Sequence, residues 1–212
     1  MRWIWIFILV TLMGEAKALR VLISGFETFG GLSHNPTELM IQQLQKEPLE
    51  IEGMSIQTVV LPVTYFQSWQ RLKEEIDSYR PDVVLSFGYA PSSHGVRLER
   101  ISQNYDRGGK DNAGVSHFGK IIEQDSNETL TSQLPLKELK NYLEERGFEV
   151  NMSDDAGGYI CNHLFYYLMH HIQNKGIQGG FIHISDMPLA GQNGSMALLK
   201  EIVTFLSKRQ SL

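Results

Sequence analysis

Cys161 is the only cysteine in a chain of 212 residues, and it follows the glycine-rich stretch Ala156-Gly157-Gly158-Tyr159-Ile160 at the start of a helix-period apolar run. A sulfur there lies near a helix N-terminus, where unpaired N–H groups and the positive end of the helix dipole stabilise a thiolate and can also hold the oxyanion formed when a carbonyl is attacked. The same residue is in phase with the stripe Leu164, Phe165, Leu168, Met169 and Ile172, so a small buried hydrophobe is the competing reading. A thiol nucleophile needs a base, and the base an orienting partner. Among seven histidines, His183 is the best placed, near the carboxyl end of the strand-like Phe181-Ile182-His183-Ile184, where a parallel sheet presents functional side chains. His163 falls two positions after Cys161 and faces another side of its helix. His170 and His171 are adjacent and do not converge on one metal, nothing matches a zinc spacing, and His34, His94 and His117 are loop residues without a readable role. Glu99 is one of 24 acidic residues, set apart by Val96-Arg97-Leu98-Glu99-Arg100-Ile101, where charge alternates with apolar residues. On pattern alone this favours a solvated or Arg-paired strand carboxylate.

The elements that must position these residues alternate along the chain. Strands are predicted at Arg20–Ser24, Ile56–Val63, Asp82–Phe87, Glu149–Met152 and Gly180–Ile184, and helices at Pro36–Glu47, Phe66–Tyr79, Leu136–Arg146, Tyr159–Gln173 and Ser195–Lys208. Asn35 caps the first helix, with Pro36 at its first position. Repeated strand-helix-strand units imply right-handed crossovers, so the expected fold is α/β, with a largely parallel, doubly wound sheet in one domain. Between them, residues 94–127 are rich in Gly, Asn, Asp and Ser, with Val96–Ser102 as a further strand. In such sheets ligands sit beyond the carboxyl ends of the strands, where these loops emerge.

The loop Ser24-Gly25-Phe26-Glu27-Thr28-Phe29-Gly30-Gly31 contains neither GxGxxG nor GxxxxGK[ST], so it is not a phosphate turn. Its two phenylalanines suit either stacking on a flat, mostly apolar ligand or anchoring the turn in the core. A net charge of −5 without a basic stripe excludes a nucleic-acid binder. Residues 1–18 combine Arg2, an uncharged apolar run from Trp3 to Met13 and the small-x-small site Ala16-Lys17-Ala18, which reads as a cleaved signal peptide and predicts export without lasting membrane insertion. The run is shorter than the roughly 20 residues of a membrane span.

In their order, these segments resemble the pyroglutamyl peptidase I family: Gly25-Phe26-Glu27-Thr28-Phe29-Gly30-Gly31 with Asn35-Pro36, Leu61-Pro62-Val63, Arg80-Pro81-Asp82-Val83-Val84, Leu98-Glu99-Arg100-Ile101 with Asn104, Asp111-Asn112, Ala156-Gly157 with Tyr159-Ile160-Cys161-Asn162-His163, and Gly180-Phe181-Ile182-His183-Ile184. The resemblance implies a three-layer α/β/α sandwich and a cysteine exopeptidase that removes N-terminal pyroglutamate from peptides. It implies Cys161 as nucleophile, His183 as base then acid, Glu99 orienting the imidazole, and a thioester intermediate. Phe26, Phe29 and Asn35 match positions lining the family's substrate pocket, no metal or cofactor is implied, and a homo-oligomer is an expectation because members often form dimers or tetramers.

Three departures qualify the match. After Asn104 the family continues with Asp-Ala-Arg and Pro-Asp-Asn, whereas Tyr105-Asp106-Arg107-Gly108-Gly109-Lys110-Asp111-Asn112 is one residue shorter and displaces the arginine to Arg107. The family's Gly-Gln-Ala-Gly-Gly turn is Gly88-Tyr89-Ala90-Pro91-Ser92, which puts Tyr89 at the pocket. Members are also typically cytoplasmic, so an exported one exposes a reactive thiol to oxidation. Two other readings therefore stand beside the peptidase: the same triad acting on another lactam or blocked amino terminus, and a secreted binder of pyroglutamyl peptides that does not turn over.

Overall fold

The computed structural model describes residues 17–92, 94–192 and 194–210. The elements are β1 (Leu19–Phe26), α1 (Pro36–Lys46), β2 (Met54–Leu61), α2 (Gln67–Tyr79), β3 (Val83–Tyr89), β4 (Val96–Glu99), β5 (Ile101–Gln103), β6 (Tyr105–Asp106), β7 (Lys120–Ile121), β8 (Thr129–Thr131), α3 (Leu136–Glu144), β9 (Val150–Ser153), α4 (Ile160–Ile172), β10 (Gln178–Ile184) and α5 (Ser195–Gln210). Six strands form the central sheet in the order β2-β1-β3-β10-β4-β9. β1, β2, β3 and β10 run parallel, whereas β4 pairs with β10 antiparallel and β9 follows β4.

Strand side chains alternate between faces, and here each face carries its own core. Val21, Ile23, Leu85, Leu98, Ile182 and Ile184 pack with α1, α3 and α5 on one side. Leu22, Phe26, Val84 and Phe181 pack with α2 and α4 on the other. This is the expected three-layer α/β/α sandwich. Asn35 caps α1 as predicted, its Oδ1 accepting the N–H of Thr37 at 3.0 Å.

Two expectations are corrected in detail. The strand expected over Val96–Ser102 breaks at Arg100, whose side chain turns to Asp154, and the chain then leaves the main sheet to pair β5 with β8. Phe66, expected as the first residue of the second helix, instead precedes it with φ 49°, is 44% exposed, and sets its ring edge-on to His117 and His163. Of the segment read as a signal peptide, only Lys17 and Ala18 are described, with Lys17 paired to Asp82; the rest lies outside the described residues. No helix among the described residues is long and apolar enough to cross a membrane.

Candidate active site

The glycine-rich turn delivers Cys161 as the second residue of α4. Tyr159 stands at the N-cap in extended conformation (φ −107°, ψ −160°) without a side-chain cap bond, and the first helical bond runs from the His163 N–H to the Tyr159 carbonyl at 3.1 Å. The N–H groups of Ile160, Cys161 and Asn162 therefore have no partner within the helix and are free to act as donors in the turn that bears the sulfur. The turn is clamped from outside. Arg107 and Gly108 both donate their N–H to the Gly158 carbonyl, at 2.7 and 2.5 Å, and a Cβ on Gly158 would lie only 2.4 Å from the Arg107 Cβ.

β4 and β10 supply the partners. In their antiparallel register His183 lies opposite Arg97 and Phe181 opposite Glu99, so these four side chains share the face that α4 covers. Glu99 is fully buried and His183 is 3% exposed, with His183 Nδ1 2.7 Å from Glu99 Oε1. That bond fixes Nδ1 as the protonated nitrogen and leaves Nε2 as the basic one. Arg97 adds a third party: its Nε donates to the same Oε1 at 2.6 Å, and a terminal nitrogen lies 3.2 Å from His183 Nδ1. Glu99 Oε2 is buried with no partner among the described residues. The bland reading of Glu99 thus holds in part, since it is Arg-paired, but it is not solvated.

At Cys161 the helix N-terminus is opposed by burial. Cys161 is half-buried at the surface, yet the protein packed round its sulfur, joined by the Glu99 charge, pushes the thiol up to about 12 against the opposing pull of Arg97 and of its own backbone N–H. Desolvation wins because one helix terminus offers only partial charges, whereas burial penalises a full one. His183 is pushed down, by burial first, with Glu99 pulling the other way. Both shifts favour the neutral thiol and the neutral imidazole.

Gly88 makes room for the base. It lies in register with His183 on β3, and a Cβ there would stand 2.9 Å from the His183 ring and 2.7 Å from that of Phe181. Gly88→Ala is therefore expected to displace the imidazole and lower kcat about 100-fold, with the fold retained by circular dichroism. A near-normal kcat would show that the ring tolerates the shift.

The other expected site residues are brought to the rim unevenly. Phe26 is core, its ring 6.3 Å from Phe181, which in turn lies 5.0 Å from His183. Phe29 is half-buried and faces Tyr159 at 6.3 Å, beside Cys161. Asn35 is buried and commits its amide to structure, Oδ1 to Thr37 and Nδ2 to the Glu27 carbonyl at 3.0 Å, so it holds the Phe26–Phe29 loop onto α1. Tyr89 is half-buried, with its hydroxyl bonded to Asp186. Arg107 is 42% exposed along its side chain and pairs with Asp155; the guanidinium that reaches Glu99 is that of Arg97.

Reasoning from sequence missed a second buried cluster. Asp106 Oδ2 meets His117 Nδ1 at 2.5 Å and His163 Nδ1 at 2.7 Å, and this is the one group among the described residues close enough to hold a metal ion. These are hydrogen-bond lengths, shorter than the roughly 3 Å between two ligands of one metal at 2.0–2.1 Å. The His163 Nε2 accepts from the N–H of Phe66 at 3.5 Å, so this imidazole donates from Nδ1 to the carboxylate, and the cluster pins loop 104–121 to α4. The spacing of these residues in sequence gives no signal of their meeting; only the fold brings them together.

A sequence model described as pyroglutamyl peptidase matches residues 19–202. The chain is 34% identical over 177 residues to the pyrrolidone-carboxylate peptidase of Vibrio parahaemolyticus, covering 83% of this chain and 82% of the relative. It is 37% identical over 172 residues to that of Bacillus licheniformis, covering 80% and 79%. Among solved structures, a mutant pyrrolidone carboxyl peptidase from the hyperthermophile Pyrococcus furiosus superposes with a TM-score of 0.84 at 27% identity, over 91% of this chain and all of that one. Pyroglutamyl peptidase I from Bacillus amyloliquefaciens gives 0.77 at 30% identity, over 90% and 92%.

Proposed function

Because this chain belongs to the pyroglutamyl peptidase family, we propose that it is a cysteine exopeptidase that hydrolyses the amide bond after an N-terminal pyroglutamyl residue, with Cys161 as nucleophile, His183 as proton carrier and Glu99 as its orienting group. The observation that carries this reading is the buried His183–Glu99 pair, 2.7 Å apart, on the sheet face that packs against α4, whose first turn bears Cys161.

His183 Nε2 takes the thiol proton as the sulfur attacks the carbonyl carbon, and the first-turn N–H groups of α4 hold the resulting oxyanion. Collapse breaks the C–N bond, and the departing amine takes the proton from the imidazolium. Water then attacks the thioester and gives a proton to His183; collapse releases pyroglutamate, and the sulfur takes that proton back. Glu99 stabilises the imidazolium in both halves. The pyroglutamyl ring is a neutral, flat lactam, which suits an aromatic bed such as Phe29 with Tyr159 and calls for no cation. Phe26 and Asn35 act from behind, fixing the loop that presents Phe29, while the Tyr89 hydroxyl is taken up by Asp186.

The test compares pyroglutamyl, N-acetyl and free-amino peptides of one sequence. Release of pyroglutamate alone supports the reading; preference for the acetyl peptide favours a hydrolase of other blocked termini, and tight binding without hydrolysis favours a binder. The resting state adds a pH signature. Since the His183 pKa is lowered, the base stays neutral below its usual value of 6.5 and the acid limb of kcat/KM is expected below that pH. Alkylation of free Cys161 by iodoacetamide is expected to keep rising through pH 9, because the thiol is pushed up to about 12. A plateau between pH 5 and 8 would instead reveal a preformed thiolate–imidazolium pair.

A further inference from the structure

We propose that Arg97 is a positioning residue of the site, which neutralises the buried Glu99 and keeps His183 uncharged. The proposal rests on the functional reading above and goes beyond it by adding a fourth member to the proton relay. Its basis is geometric. Arg97 lies directly opposite His183 in the β4–β10 register, two residues from Glu99 on the same face. Its Nε donates to Oε1, the oxygen that also accepts from His183 Nδ1, at 2.6 and 2.7 Å. Because that Nδ1 hydrogen is committed to Glu99, the approach of the other Arg97 nitrogen to Nδ1 at 3.2 Å brings two donors together. The contact cannot stabilise an imidazolium; it opposes one. With Oε2 unpartnered among the described residues, Arg97 is also the permanent cation that offsets a fully buried carboxylate.

The groups facing His183 are few. β4 contributes Arg97 and Glu99, and both charges also act on the Cys161 sulfur of α4. β3 contributes Gly88 opposite the ring and then Tyr89, whose hydroxyl is turned away to Asp186 beyond β10. Removing Arg97 leaves Glu99 uncompensated, so a proton binds the Glu99–His183 pair more readily, whichever of the two carries it. The consequence is a base that is lost at a higher pH. Arg97 thereby trades some stabilisation of the imidazolium for a site that works in mildly acidic surroundings.

The test is the pH profile of Arg97→Met, Arg97→Gln and Arg97→Lys in the full chain. Arg97→Met and Arg97→Gln are expected to move the acid limb of kcat/KM upward, so that the loss of kcat relative to wild type is about fivefold larger at pH 5.5 than at pH 8, with KM little changed. Arg97→Lys, which keeps the charge, restores the limb. An unmoved limb with only a lower Tm would overturn the proposal, as would a Lys variant that behaves like Met; if Met does not fold, Gln, which can still donate to Oε1, decides the matter. Titration of the His183 ring by NMR reads the same upward movement without turnover. A wild type that fails to hydrolyse pyroglutamyl peptides, yet shows this NMR shift on losing Arg97, would thus separate failure of the functional reading from failure of this one.

Discussion

Replacing Cys161 by alanine is expected to lower kcat on a pyroglutamyl peptide by about 10⁴-fold or more, because no other thiol exists in the chain to take its place. The size of the effect follows from the mechanism: without sulfur there is no acyl-enzyme, and water must attack unaided by covalent catalysis. Cys161 is half-buried and its helix starts without a side-chain cap, so the smaller residue costs little packing and the variant should remain folded. The informative measurement pairs turnover with affinity. Loss of turnover with retained binding of a pyroglutamyl peptide, read by calorimetry, identifies the sulfur as the reacting atom. Continued release of pyroglutamate at the wild-type rate would remove the thioester and the triad together. Cys161→Ser keeps the shape, but its hydroxyl is a far weaker acid and nucleophile, and it is expected to fall nearly as low as alanine.

Glu99→Gln is expected to be almost as damaging, about 10³- to 10⁴-fold in kcat, through a different route. Glutamine fits the same space and leaves the neighbours in place. Its amide, however, can turn its NH₂ towards His183 Nδ1, which draws the imidazole into the tautomer with its hydrogen on Nε2. The nitrogen that must receive the thiol proton would then already carry one. Nor can a neutral amide stabilise the imidazolium. Arg97, left without a carboxylate at 2.6 Å, would make the ring still harder to charge. KM is expected to change much less than kcat, since Glu99 is buried beneath His183 and out of reach of substrate. A variant with kcat within tenfold of wild type would show that Glu99 serves only the packing of β4.

The fold was legible in the sequence because it depends on patterns that repeat: apolar strand runs alternate with helix-period stripes, and Asn35-Pro36 announces a helix start that the structure keeps. What blurred was where local signals compete with tertiary ones. Val96–Ser102 reads as one strand, yet Arg100 leaves the sheet for Asp154, a contact 54 residues away that no local pattern encodes. The site was legible in part. The order of segments around Cys161, His183 and Glu99 carried a family resemblance, and that resemblance, more than any spacing, picked Glu99 from 24 carboxylates. Arg97 was in view in the same alternating segment, but its role depends on the register with β10, which sequence does not specify. The ionisation of Cys161 has two sides for a related reason: a helix end can be read locally, whereas the burial that opposes it is a property of the packed molecule. The Asp106 cluster, joining positions 106, 117 and 163, lay beyond any local cue.

The alternation of β4 and β10 gives the protein an all-or-nothing character. Arg97, Glu99, Phe181 and His183 occupy every second position on one face, while Leu98, Ile182 and Ile184 fill the core behind. Sliding either strand by a single residue would bury the charges in that rear core and turn its aliphatic side chains towards the thiol. Chemistry therefore cannot drift by small steps along these strands. New specificity has to be written in the loops at their ends, where length and composition are free to vary, while the frame between them is inherited whole.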